Sequence, residues 1–143
     1  MSDETGALRP ELAALLALWT RARGGNALPT RGAIDPFILR PWLGHVSLIE
    51  PLAGGAFHYR LHASEEAWRF GDLTGKTTAA LPPAAGEARR SAYARACAGR
   101  RPAVASFQRI DTLGGSRAFQ ELALPLATAA DGVMILAAAW PTG

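Results

Sequence analysis

Cysteine is nearly absent from this sequence. Cys97 stands alone, so no intrachain disulfide can staple the fold. A lone cysteine in a helical stretch reads as a small hydrophobe. Arg95, Arg100 and Arg101 nearby are a weak sign of a lowered thiol pKa. Long apolar runs are missing too. The longest, Val133 to Trp140, has strand length and falls far short of the roughly 18 residues of a membrane span. The opening residues, Met1 to Pro10, are polar and acidic, with neither the basic start nor the apolar run of a secretory signal. The expected address is therefore the cytoplasm, with no membrane partner.

Catalytic signatures are also lacking. There is no Gly-x-Ser-x-Gly, phosphate loop, Cys-x-x-Cys or His-Glu-x-x-His. Glu65 and Glu66 are adjacent, so on a helix they point in different directions and read as a complement to its dipole, not as an acid–base pair. The three histidines, His45, His58 and His62, are too few and too poorly spaced for a metal centre. On a regular strand His58 and His62 would lie roughly 13 Å apart, too far to share an ion. They read as surface histidines, and nothing names a cofactor. The sequence therefore reads as a non-enzyme. The alternative is a small α+β enzyme in which Arg60, His62, Asp72 and Tyr93 would have to converge in a cleft.

Charge of one sign is not concentrated. The formal charge is +3 and the isoelectric point about 9.7, set by arginine. These arginines are scattered and interspersed with acids. A nucleic-acid surface would need them clustered on one face. What is present is a globular composition, 49% hydrophobic and 19% charged over 143 residues. A chain of this size forms one domain with a core of its own. The expected organisation is a flexible N-terminus over residues 1–9 and a single domain over 10–143.

Periodicity places the elements. Leu8, Leu12, Leu15, Leu16 and Trp19 recur at three- and four-residue spacing and predict an amphipathic helix from Pro10 to Arg23, stopped by Gly24-Gly25. Its stripe Leu12, Leu15, Leu16 and Trp19 must bury against something, either its own sheet or a second copy as a dimer seam. Asp35 can cap a short helix over Phe37 to Trp42, with Phe37, Ile38, Leu39, Trp42 and Leu43 as packing residues.

From His45 the period becomes two. Strands are predicted at His45–Glu50 and Phe57–His62 around a Gly54-Gly55 turn, with Phe57, Tyr59 and Leu61 on one side and His58, Arg60 and His62 on the other. Ser64 can cap a helix through Phe70 that stops at Gly71. A second long helix is predicted from Glu87 to Ala98, its arginines Arg89, Arg90 and Arg95 reading as a solvated face. Three strands follow, at Val104–Asp111, Ala118–Ala127 and Val133–Trp140, joined at Gly114-Gly115 and Asp131-Gly132. Strands grouped apart from helices argue for an α+β fold with an antiparallel sheet.

Two runs carry a resemblance. Leu16 to Pro36 holds a helix ending in Gly-Gly and then an Ile-Asp-Pro turn. Phe57 to Thr77 holds a Tyr-Arg-Leu strand, a short helix and the turn Gly71-Asp72-Leu73-Thr74-Gly75. Together with the element order these resemble the stand-alone bacterial PAS-like proteins, the fifth PAS subfamily. The Gly71–Gly75 turn is one residue shorter than in that group. The resemblance covers about Leu12 to Trp140. It implies a five-stranded antiparallel sheet with helices on one face and an N-terminal amphipathic helix, and a role in sensing or signal relay.

It further implies a small apolar or amphipathic ligand, or a signalling protein such as a histidine kinase as partner, and a homodimer. The ligand would sit in the sheet–helix space, among Tyr59, Trp68, Phe70, Leu73, Leu81, Tyr93, Phe107, Leu122, Leu124, Val133 and Ile135. The same side chains would equally fill a solid core. Tyr59 and Trp68 add polar handles to a site there. The flavin photosensors of the PAS class need a cysteine in an Asn-Cys-Arg-Phe-Leu-like motif, and Cys97, in Arg95-Ala96-Cys97-Ala98-Gly99, does not match it. Asp72 is expected to bond nearby backbone N–H groups within its turn.

Overall fold

A computed structural model describes residues 7–142, so most of the flexible N-terminus expected over 1–9 lies outside the described residues. The elements are α1 (Pro10–Arg23), β1 (Val46–Pro51), β2 (Phe57–Leu61), α2 (Ser64–Phe70), α3 (Pro83–Gly99), β3 (Ala103–Ile110), β4 (Ser116–Ala127) and β5 (Val133–Pro141). The five strands form one antiparallel sheet in the order β2-β1-β5-β4-β3.

Both faces of this sheet are covered. On one side α3 lays Ala85, Ala92, Tyr93 and Ala96 against Ala103, Ala105, Ala123, Ala137 and Ala139 of the strands. Alanine on both surfaces lets the helix axis approach closely. On the other side Leu12, Leu15 and Trp19 of α1 pack against Leu122, Leu124, Leu126, Leu136 and Ala138. A sheet covered twice needs apolar residues at successive positions, which is why β4 and β5 are buried almost continuously. Of the two alternatives for the α1 stripe, Leu12, Leu15 and Trp19 take the sheet of their own chain, while Leu16 is only half-buried. Two tryptophan N–H groups fix this layer: Trp19 donates to the Pro125 carbonyl at 2.9 Å and Trp42 to the Glu11 carbonyl at 2.7 Å.

Asp35 does cap its turn, accepting the Ile38 N–H at 2.9 Å. The short helix expected after it is reduced to turns and one 3-10 turn at Arg40–Trp42, because Pro41 has no N–H to continue an α-helix. Leu39 and Trp42 pack as expected, but Phe37 is 74% exposed, lying beneath the Arg40 guanidinium.

The strand β2 departs from strict alternation. Its register with β1 slips between Leu48 and Ile49, so Leu61 pairs with Leu48 while Tyr59 pairs with Ile49. This bulge re-aims everything after it. Leu61 leaves the face of Phe57 and Tyr59, and His62 turns into the interior, 4% exposed and 5.5 Å from the Tyr59 ring. The predicted face of His58, Arg60 and His62 is therefore broken up. The helix that follows also starts differently. Ser64 is its first residue, and no side chain caps it from Ala63. Instead Ser47 Oγ accepts the Ala63 N–H and the Gly44 carbonyl accepts the Glu65 N–H. Gly44 has φ +94°, and a Cβ there would press on the Glu65 side chain at 3.1 Å.

Candidate functional site: a buried ionic centre and its cleft

Between α2, α3 and the sheet the interior is occupied by charge. Arg89, read from the sequence as part of a solvated face, is fully buried, as are Glu66 of α2 and Glu121 of β4. The reason is positional. Arg89 lies four residues after Ala85 and four before Tyr93, on the stripe that α3 buries, and Glu121 alternates with Phe119 and Ala123 on the inward side of β4. Neither side chain can reach water, so each must find a partner inside.

Arg89 is held from both sides. Its Nη1 and Nη2 donate to Glu66 Oε2 at 2.7 Å and Oε1 at 3.1 Å. Its Nη2 and Nε donate to Glu121 Oε2 at 2.6 Å and Oε1 at 3.3 Å. Two carboxylates thus clasp one planar guanidinium, the fork-to-fork geometry arginine is suited to. The cation also lies over the Phe107 ring, 4.2 Å from its centroid. Tyr93 donates its hydroxyl proton to Glu121 Oε1 at 2.7 Å, so its oxygen accepts from Tyr59 Oη at 2.8 Å.

Glu66 is the node. Arg109 of β3 donates Nη1 to Glu66 Oε2 and Nη2 to the Phe70 carbonyl at 2.6 Å, tying both ends of α2 to the sheet. His62 Nδ1 accepts the Leu73 N–H at 3.0 Å, so the ring is neutral with its proton on Nε2, which lies 3.1 Å from Glu66 Oε2 but off the line of a good hydrogen bond. Two carboxylates therefore face two guanidiniums, and the centre is electrically neutral.

The electrostatics follow from this closure. Burial alone would raise the Glu66 carboxyl pKa, but the Arg89 charge, the His62 ring beside it and the Arg89 hydrogen bonds outweigh it and hold it well below the usual carboxylate range. Arg89 stays charged, since Glu121 and its other neighbours more than offset the cost of burial. Burial pushes the hydroxyls of Tyr59 and Tyr93 up, against the pull of Arg89.

An opening in the surface reaches this centre. A cleft of about 280 Å³ lies between α2 and the sheet, lined by His45, Glu65, Glu66, Trp68, Arg69, Phe70, Arg117, Phe119, Ala139 and Pro141 among others. Phe70 and Phe119 meet edge-on at 5.6 Å in its wall. Glu66 is thus both a wall of the cleft and the hinge of the buried network.

The sequence-predicted pocket residues are distributed over three places. Tyr59, Leu73, Leu81, Tyr93, Phe107 and Ile135 come together in the helix-side core, with Phe70 packed against it. Leu122 and Leu124 lie on the opposite face with Val133, because β4 alternates and Phe119, Glu121 and Ala123 hold the inner positions. Trp68 is 84% exposed at the rim of the cleft. The turn at Asp72 forms as expected, with its Oδ1 accepting the Thr74 N–H at 2.9 Å. Arg60, His62, Asp72 and Tyr93 do not all converge in one cleft: His62 Nδ1 lies 3.6 Å from Asp72 Oδ1, but Arg60 and Asp72 are exposed while Tyr93 is buried. Burial raises the Cys97 thiol pKa, the reverse of what activation would need. Among the described residues no three histidine, cysteine or acidic side chains are grouped to hold a metal ion.

Sequence reasoning passed over Arg109 and Glu121, read Glu66 as a complement to the helix dipole and Arg89 as solvated, and read His62 as a surface histidine or part of an enzyme cleft. A signal existed for two: Arg89 falls at core spacing in α3, and Glu121 at core parity in β4. None existed for His62, which depends on the bulge.

A family model described as a PAS domain matches residues 8–138. Among solved structures, the PAS domain of a protein from Colwellia psychrerythraea is 13% identical, covering 76% of this chain and 98% of that one, with a TM-score of 0.49. A light-oxygen-voltage domain studied with a flavin analogue is 14% identical, covering 78% of this chain and 89% of its own, with a TM-score of 0.55. The second similarity shows the fold alone. No curated protein matches the chain.

Proposed function

The chain belongs to the PAS domain family, a family of sensory and signalling modules, and we propose that it is a non-catalytic, cytoplasmic sensor that takes a small molecule into the cleft beside α2. The observation that carries this reading is the double position of Glu66. It lines the cleft and also holds Arg89 and Arg109. A guest that touches Glu66 or displaces α2 acts directly on contacts that clamp the helix to the sheet. Phe70 and Phe119 supply apolar wall, and Arg69, Arg117 and His45 supply polar rim, which suits an amphipathic molecule with an aromatic or apolar body. The output is contact with a separate signalling protein, of which a histidine kinase is one class, made by the outer side of α2. Support for this is Trp68, a large apolar side chain left 84% exposed on that helix.

Native mass spectrometry followed by a denaturing run tests the reading, reporting the oligomer and any retained molecule together. A small molecule that leaves on denaturation, and whose uptake falls in Trp68→Ala, is the expected result; Trp68 is exposed enough that its loss leaves the fold intact. Retained ligands or screened binders that map by NMR away from Phe70, Phe119 and Ala139 would overturn the cleft as the site.

A further inference from the structure

The α1 side of the sheet carries a second opening, separated from the α2 cleft by the whole thickness of the sheet. The connection between α1 and β1 leaves a groove of about 420 Å³ between itself and the strands. This lies within the roughly 300–1,000 Å³ typical of small-molecule sites. Its walls are aliphatic, with Leu39 and Leu43 from the connection and Leu48, Leu61 and Leu136 from the strands. Leu43 and Leu61 are each 51% exposed there, and Leu61 faces the groove only because the β2 bulge turned it.

Two charged residues stand at the mouth, and they are not equivalent. Asp35 has an oxygen engaged by the Ile38 N–H within its own turn. The Arg31 guanidinium, among the described residues, has no ion pair or hydrogen bond. An aliphatic trough with one uncommitted cation at its rim complements a molecule with a hydrocarbon body and an anionic head. We propose that this groove binds an amphipathic carboxylate of the medium-chain fatty acid type, with the chain along Leu48, Leu61 and Leu136 and the head on Arg31.

The test is an NMR titration of the full chain with decanoate, octanoate and decanol, each below its micelle concentration, on wild type and Arg31→Gln. Decanoate is expected to give saturable shifts at Leu39, Leu48, Leu61 and Leu136. Octanoate, shorter by two methylenes, is expected to bind about tenfold more weakly. Arg31→Gln is expected to weaken decanoate by up to about fivefold, the range of an exposed ion pair, and to leave decanol unchanged. Absence of saturable shifts, equal affinity for the two acids, or shifts confined to the α2 cleft would overturn the site. Equal effects of Arg31→Gln on decanoate and decanol would overturn the carboxylate assignment.

Discussion

Replacing Arg89 by methionine tests whether the buried centre works as a closed charge network. Methionine has a similar length and fills the space over Phe107, so the change removes charge more than volume. Four guanidinium–carboxylate hydrogen bonds are lost. Summing about 1.5–3 kcal/mol for each would give about 6–12 kcal/mol, which overshoots, because the four share one cation and its desolvation cost is recovered. The measured cost of removing one partner of a buried pair, about 3–5 kcal/mol, is the better guide. Most of that cost comes from Glu121, which among the described residues keeps only the Tyr93 hydroxyl, whereas Glu66 keeps Arg109 and the nearby His62. Since a domain is stable by only about 5–15 kcal/mol in total, Arg89→Met should lower the urea midpoint drastically at pH 7. The loss should shrink as pH falls toward 5, because protonation relieves carboxylates left without a cation. Adding Glu121→Leu should restore most of the stability, since the Glu66–Arg109 pair then remains as a neutral centre with no acid left unpaired. Urea unfolding followed by tryptophan fluorescence measures wild type, the single variant and the double variant. A cost under about 1 kcal/mol for Arg89→Met, or no recovery in the Arg89→Met/Glu121→Leu double variant, would refute the argument.

Three further outcomes follow from the same contacts. Arg109→Met removes one of the two cations on Glu66 and the bond to the Phe70 carbonyl, and should cost about 1.5–3 kcal/mol, with faster hydrogen exchange in α2 than in α3. Stability should be bounded on both sides of the pH scale. The Glu66 carboxyl, held below its ordinary 4.5, contributes above that pH and is lost in acid, while Tyr59 and Tyr93, pushed above their ordinary 10.0, contribute below pH 10 and are lost as pH rises past it; melting temperature against pH in wild type and Tyr93→Phe measures both limbs. Gly86→Ala should cost about 1–3 kcal/mol, because a Cβ there meets the Thr78 carbonyl at 2.8 Å, whereas Gly25→Ala, with open space around it, should be close to neutral.

Much of the architecture was legible because it rests on local chemistry. The spacing of Leu12, Leu15 and Trp19 defines α1 whatever it packs on, and glycine and aspartate mark the turns at Gly71–Gly75 and Asp131-Gly132 because their backbones must bend there. The limits of the strands β3 to β5 also followed within two residues, since alternation and turn signals are properties of neighbours in the chain. The candidate site was not legible in the same way. A helix records that Arg89 shares a face with Ala85 and Tyr93, but not that two acids, from 23 residues before and 32 after, meet it there. Without those partners a buried arginine is prohibitively costly, so the charge alone argued for solvent.

What the sequence by itself determined was the order and kind of its elements and the apolar face of each. What only the tertiary structure decided was which faces meet. The β2 bulge sends His62 inward and Leu61 outward, the parity of β4 sets Glu121 beside Arg89 and moves Leu122 and Leu124 to the α1 side, and the sheet's two covers leave a cleft on either face. Periodicity fixes a side chain's direction relative to its own backbone. Its partner, and therefore whether a charge there is stabilising or ruinous, is fixed only when distant segments close on it.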